Sequence, residues 1–138
     1  MTTVIRPPFT QDTARQKVQI AQDLWNSKNP DAVVLAYTVD SIWRNRTQWV
    51  VGHREIGALL TRKWQRELDY KLNKELFIFS EDRIAVNFTY EYHDADGQWY
   101  RAHGLEHWQF NVDGLMQSRQ ASINEERISP EQRVLSDC

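Results

Sequence analysis

The hydrophobic pattern of this chain changes period once, and that change limits its fold more than any other feature. Before about residue 68 apolar side chains recur at helical spacing; after it they alternate. Ala14, Val18, Ala21, Leu24 and Trp25 form one stripe behind a Thr10 cap, which predicts a helix to about Lys28. Asn29-Pro30 ends that helix and opens a short second one, since Asn caps and Pro is tolerated at the first helical position. Asp40–Arg46 reads as a strand and Gln48–Val51 as a second extended piece. Beyond Gly52, the residues Ile56, Leu59, Leu60, Trp64 and Leu68 predict a third helix from about His53 to Leu68.

The second half reads as strands. Tyr70–Phe79 alternates imperfectly. Ile84, Val86, Phe88, Tyr90 and Tyr92 alternate cleanly with Ala85, Asn87, Thr89, Glu91 and His93, as a half-buried strand does. A turn at Asp94–Gly97 leads to a strand at Trp99–Phe110. Asp113-Gly114 is a hairpin signal, and Leu115–Asn124 closes the sheet. Helices followed by an antiparallel meander define an α+β fold in which the helices cover one sheet face. A length of 138 residues suits one domain, 1–138, with an ordered core expected at about 9–126 and a tail beyond it.

Charge narrows the partners. Seventeen basic and 19 acidic residues give a net of −2, against the basic surplus that nucleic acid or an anionic membrane requires. No apolar run approaches the roughly 20 residues of a membrane helix. Met1–Phe9 has no apolar signal core. The one cysteine, Cys138, cannot form an internal disulfide, so a reducing, cytoplasmic location is expected. Six Trp, five Tyr and five Phe suit either a bulky core or an aromatic ligand pocket.

Several runs carry a family resemblance: Arg6-Pro-Pro-Phe-Thr10, Asp40-Ser-Ile-Trp-Arg-Asn-Arg46, Arg62-Lys-Trp-Gln-Arg-Glu-Leu-Asp-Tyr70, Glu91-Tyr-His-Asp94 and Ala121-Ser-Ile-Asn124. From about residue 5 to about 128 the chain resembles the nuclear transport factor 2-like, or SnoaL-like, superfamily, and within it a bacterial branch of unknown function. The resemblance implies a cone, its sheet curved around a long helix to leave a mostly apolar cavity. It also implies a homodimer formed through the outer sheet face. Members include steroid isomerases, polyketide cyclases, dehydratases, epoxide hydrolases and non-catalytic binding proteins, so the fold leaves function open. The expectation is a small-molecule pocket protein without a cofactor. It is either an acid/base enzyme acting on an apolar or carbonyl substrate, or a binder of a hydrophobic or carboxylate ligand, or a dimeric interaction module.

Strand parity selects the candidate site. On Trp99–Phe110 the even residues are the more apolar, so Glu106 is expected to face inward among Tyr100, Ala102, Gly104, Trp108 and Phe110. The run around Glu106 resembles a steroid-isomerase strand that carries an oxyanion-hole acid. On that alignment the general-base position falls on Asn45 and the tyrosine position near Ala21, which departs from the isomerase pattern. A turn at 111–114 sets residue 110 opposite 115 and Glu106 opposite Arg119, making a cross-strand pair. Burial raises a carboxyl pKa and a close arginine lowers it; the arginine is expected to prevail. The pair serves either as architecture, or as a proton-transfer group (Glu106) with an anion partner (Arg119). Trp25, Trp43, Asn45, Trp64, Phe88, Tyr90 and Trp108 are the expected pocket lining. His103 and His107 lie roughly 13 Å apart at about 3.3 Å per residue, too far to share a metal, and no metal site is expected.

Overall fold

Thr10 ends its extended segment with a reciprocal cap: its hydroxyl accepts from the Thr13 N–H, and Thr13 returns a bond to the Thr10 N–H. Helix α1 comes next at Gln11–Asn26 and buries Ala14, Val18 and Trp25. Asn29 caps α2, Pro30–Val33, which tightens into a 3-10 turn at Val34–Ala36. Then come β1 (Tyr37–Asn45), β2 (Gln48–Val51) and α3 (Gly52–Arg66). Four longer strands complete the fold: β3 (Leu68–Phe79), β4 (Arg83–His93), β5 (Trp99–Phe110) and β6 (Met116–Ile128). The computed structural model describes residues 4–135. Met1–Thr3 and residues 136–138, Cys138 among them, lie outside the described residues.

The strands form one six-stranded sheet in the order β2-β1-β6-β5-β4-β3. The meander β3–β6 is antiparallel throughout, and β1 joins it in parallel alongside β6. Register shifts in β1–β6, β3–β4 and β5–β6 bend the strands, as bulges do, and let the sheet curve around the helices. The even residues of β4 and β5 face inward: Ile84, Val86, Phe88 and Tyr90 on one strand, Ala102, Gly104, Glu106 and Trp108 on the other.

At the edge of the sheet, α1 supplies the hydrogen bonds that a neighbouring strand otherwise would. Asn26 brackets Leu72 of β3, donating to its carbonyl at 2.9 Å and accepting from its N–H at 2.8 Å. The Gln22 side-chain Oε1 accepts from the Lys74 N–H at 2.8 Å. These bonds cover an edge that would otherwise present unpaired backbone, and they fix Lys74 beneath the helix.

Three sequence expectations change. Glu106 is opposite Ala121, and Arg119 is opposite Trp108. Two one-residue shifts add up: the turn takes in Leu115, so Phe110 pairs with Met116, and a bulge follows, since Gln109 pairs with Ser118 and β6 carries one extra residue. Asn111 sets this loop by accepting from the N–H groups of Asp113 and Leu115. The second change concerns Glu91, expected on the open outer face. It is buried, because the segment after β6 folds back over it. Arg101 donates to Glu91 at 2.9 Å, and the backbone N–H groups of Val134 and Leu135 donate to it as well. The strand itself runs to Ile128 rather than Asn124, since β5 offers it partners as far as Trp99.

Candidate functional site: a buried charge cluster beside a cationic cleft

Three charged side chains share the aromatic interior. Arg119 Nε donates to Glu106 Oε2 at 2.5 Å, and Lys74 Nζ donates to Glu106 Oε1. Arg119 Nη1 reaches Asn45 Oδ1 at 3.2 Å. All three charged residues are buried, Glu106 at 1% exposure, Arg119 at 2% and Lys74 at 7%. Such burial is tolerable because each cation also lies on aromatic faces. Lys74 Nζ is 4.7 Å from the centre of the Phe88 ring and near Trp25 and Trp108; the Arg119 guanidinium is 4.5 Å from Trp43 and 4.9 Å from Trp25.

Burial pushes the Glu106 carboxyl up, and Arg119 and Lys74 together overcome it, so its pKa lies below the ordinary glutamate value. Burial also holds the Lys74 pKa below that of an ordinary lysine, against the attraction of Glu106. Both Glu106 oxygens are taken by cationic donors. A carboxylate held in that way is a poor general acid.

The residues expected to line a pocket do assemble, largely as packed core. Trp25 stacks on Trp43 at 5.7 Å and meets Trp64 edge-on at 5.8 Å. Phe88 stacks on Tyr90, and Trp108 packs against Phe110. The indole N–H groups of Trp43, Trp64 and Trp108 are buried without an acceptor among the described residues. Trp25 and Trp108 reach an apolar cleft between α1 and the sheet, but its volume is only about 30 Å³, room for little more than a water.

Asn45 and Tyr90 instead belong to a second, larger cleft of about 180 Å³. It lies between the C-terminal half of α3 and the β1–β2 turn, with Tyr90 of β4 beneath. Its walls carry Arg46, Arg62, Lys63 and Arg66 against one carboxylate, Glu67, with Thr47 and Gln48 at the rim. Arg46 is paired to Glu125. Counting that carboxylate too, the cleft keeps an excess of two positive charges, in a chain whose net charge is −2. Arg62 has no acidic partner within salt-bridge distance among the described residues.

Lys63 forms the inner wall of this cleft. Its ammonium donates to Glu67 Oε1 at 2.7 Å and lies 4.0 Å from the Tyr90 ring centre and 4.7 Å from that of Tyr70. Burial lowers its pKa to about 8, overcoming the pull of Glu67. The sequence pattern marks none of Lys63, Glu67 and Lys74 as a site residue. Their positions were nonetheless in phase with the buried faces: Lys63 comes after Ile56, Leu59 and Leu60 on α3, and Lys74 after Tyr70 and Leu72 on β3.

A helix-backed, curved sheet with an aromatic interior and a cleft at its mouth defines the NTF2-like class of folds. The chain belongs to the family described as "Protein of unknown function (DUF1348)", which it matches over residues 7–136. No curated protein matches it in sequence. Among solved structures it is similar to the epoxide hydrolase/cyclase-like enzyme SalBIII, which acts in pyran ring formation in the polyether salinomycin. The identity there is 11%, over 83% of this chain and 93% of that one, with a TM-score of 0.72. An NTF2-like protein of unknown function from Burkholderia pseudomallei K96243 is 18% identical over 80% of this chain and 90% of its own, at a TM-score of 0.72. Another, from Exiguobacterium sp. 255-15, is 14% identical over 77% and 96%, at 0.69. Identities this low speak for the shared fold. No helix among the described residues is long and apolar enough to cross a membrane.

Proposed function

We propose that this chain is a small-molecule pocket protein whose ligand carries a carboxylate, received in the cleft between α3 and the β1–β2 turn. One observation carries the reading: four cationic side chains converge on a single cleft in a chain of net negative charge. Arginine forks suit planar anions, and a concave site with converging donors is the usual form of a small-ligand pocket. Asn45 lines the cleft and touches Arg119, so it links the anion site to the buried cluster. Glu106 and Arg119 then serve as the rigid floor rather than as the acid/base pair. The cyclase-like activity of a structural neighbour keeps catalysis within reach of this fold, but Glu106 is already saturated.

The test is thermal-shift and calorimetric titration with small mono- and dicarboxylates against their neutral amides. Stabilisation by the acids alone, weakened by salt, supports the reading. Equal response to acids and amides, or none to either, overturns it. We further propose that the protein works as a homodimer in the cytoplasm, paired through the outer face of β5 and β6.

A further inference from the structure

Lys63 is unlike the other four lysines of the chain. Lys28 and Lys71 are exposed. Lys74 is locked onto Glu106 in the interior. Lys17 donates to the Gly114 carbonyl at 2.7 Å and has no carboxylate within salt-bridge distance among the described residues. Lys63 alone combines a buried stem, a place on the wall of a cleft, and a carboxylate 2.7 Å from its nitrogen.

Burial in low-polarity surroundings, helped by the positive charges of Arg119 and Arg46, favours the free amine over the ammonium, and an amine needs its lone pair to attack carbon. Glu67 is positioned to take the proton that Lys63 must lose and to return it to a neighbouring oxygen. Arg62 and Arg66 lie on the same cleft and can hold a carboxylate while the amine meets the adjacent carbon.

From this geometry, and resting on the acid-binding reading above, we propose that Lys63 forms a protonated imine with the carbonyl of a small oxo acid, with Glu67 as proton carrier. The step balances without an oxidant or reductant. Lys63 passes a proton to Glu67, and the free amine adds to the carbonyl carbon as the carbonyl oxygen takes a proton. The resulting hydroxyl then leaves as water. Overall, ammonium and carbonyl become a protonated imine and one water. The class of substrate is thus a 2-oxo acid or an aldehyde acid, with its two functional groups on adjacent carbons.

The experiment is incubation of the full chain with glyoxylate and a borohydride reductant, followed by intact mass and peptide mapping. Reduction converts the imine to a stable N-carboxymethyl lysine. The expected result is one such group, on Lys63, formed at least about tenfold faster than on Lys28 or Lys71, because a pKa of about 8 leaves far more of its amine free near neutral pH than an ordinary lysine has. Lys63→Arg, which keeps the charge, should lose that label. Glyoxylate should still raise the melting temperature of that variant, which shows that it is folded and still binds the acid. Glu67→Gln should slow labelling of Lys63. Label confined to Lys28 and Lys71, with glyoxylate still stabilising the wild-type chain, overturns the imine and leaves the acid-binding reading standing. No label and no stabilisation by any acid overturns both.

Discussion

Arg119 bonds Glu106 across the β5–β6 ladder without facing it: Arg119 is opposite Trp108, and Glu106 is opposite Ala121. The contact is therefore diagonal, within the reach of a long side chain on the same face. The diagonal leaves room for Lys74 to approach the other carboxylate oxygen from β3. One anion thus pairs with two cations from two different strands, and the cluster ties β3, β5 and β6 together.

Removing the anion should be costly. Glu106→Gln leaves Lys74 and Arg119 buried beside a neutral amide, and stranding a buried charge typically costs about 3–5 kcal/mol. Equilibrium urea unfolding should show a loss of that order. Adding Lys74→Met to the Gln variant should recover part of it, since the second change removes one stranded charge. If Glu106→Gln unfolds with the same midpoint as wild type, the cluster does not hold the fold together.

Acid should act through the same group. The folded pKa of Glu106 is depressed, so its contribution is present above the unfolded value of 4.5 and is lost as pH falls through the lower folded value. Below that value both states are protonated and the stabilisation is gone. Wild type should therefore lose stability with falling pH, from about 4.5 downward, more steeply than Glu106→Gln. Parallel stability–pH curves for the two proteins would remove Glu106 as the source of the slope.

Much of this architecture is legible in the sequence, and the misses have particular causes. The alternation of β4 and β5 reveals their inner faces, and Thr10 and Asn29 mark real helix starts. Hairpin counting brings Glu106 and Arg119 together from a register two residues off. Because side chains alternate with period 2, that error keeps both residues on the inner face. The bulge itself has no distinct signal, since Asp113-Gly114 marks a turn but leaves the register of the next strand open. Lys63 and Lys74 escape notice because a lysine at a core-phase position reads as a break in the apolar pattern. Their burial depends on partners, Glu67 and Glu106, that only the tertiary fold brings near.

Gly104 offers a test of how tightly the floor is packed. A Cβ built there would lie 2.0 Å from Cζ of Phe88, whose ring fills the space a side chain would take. Gly104→Ala must push aside that ring, which lies against Lys74. Overpacking of this kind costs about 1–3 kcal/mol. The expected outcome is a lowered melting temperature, partly restored by Phe88→Leu. An unchanged melting temperature in the single variant would mean that the ring shifts freely and the floor is soft.

The cleft can be probed without disturbing the core. Arg62 is exposed and has no salt-bridge partner among the described residues, so Arg62→Ala should leave stability within about 0.5 kcal/mol of wild type. Carboxylate affinity should fall by up to about fivefold, the worth of an exposed ion pair. Arg62→Glu should weaken it further. Calorimetry at two salt concentrations checks both. Identical affinity in all three proteins would locate the anion elsewhere.

The outer sheet face supplies the last test. Leu105 projects from its centre at 60% exposure, between Asn87 of β4 and Ser122 of β6. Around it lie His103, His107 and Gln120, side chains that adapt readily to a partner. Among the described residues, the segment after β6 lies against Glu91 and leaves Leu105 exposed. A two-fold arrangement would bring Leu105 of one copy close to that of the other and remove both from water. Light scattering should therefore give twice the chain mass at micromolar concentration. Leu105→Arg should give the monomer mass with an unchanged circular dichroism spectrum, because it sets like charges against each other in a desolvated centre. A wild-type monomer at that concentration would end the dimer proposal. A dimer that survives Leu105→Arg would move the interface off this face.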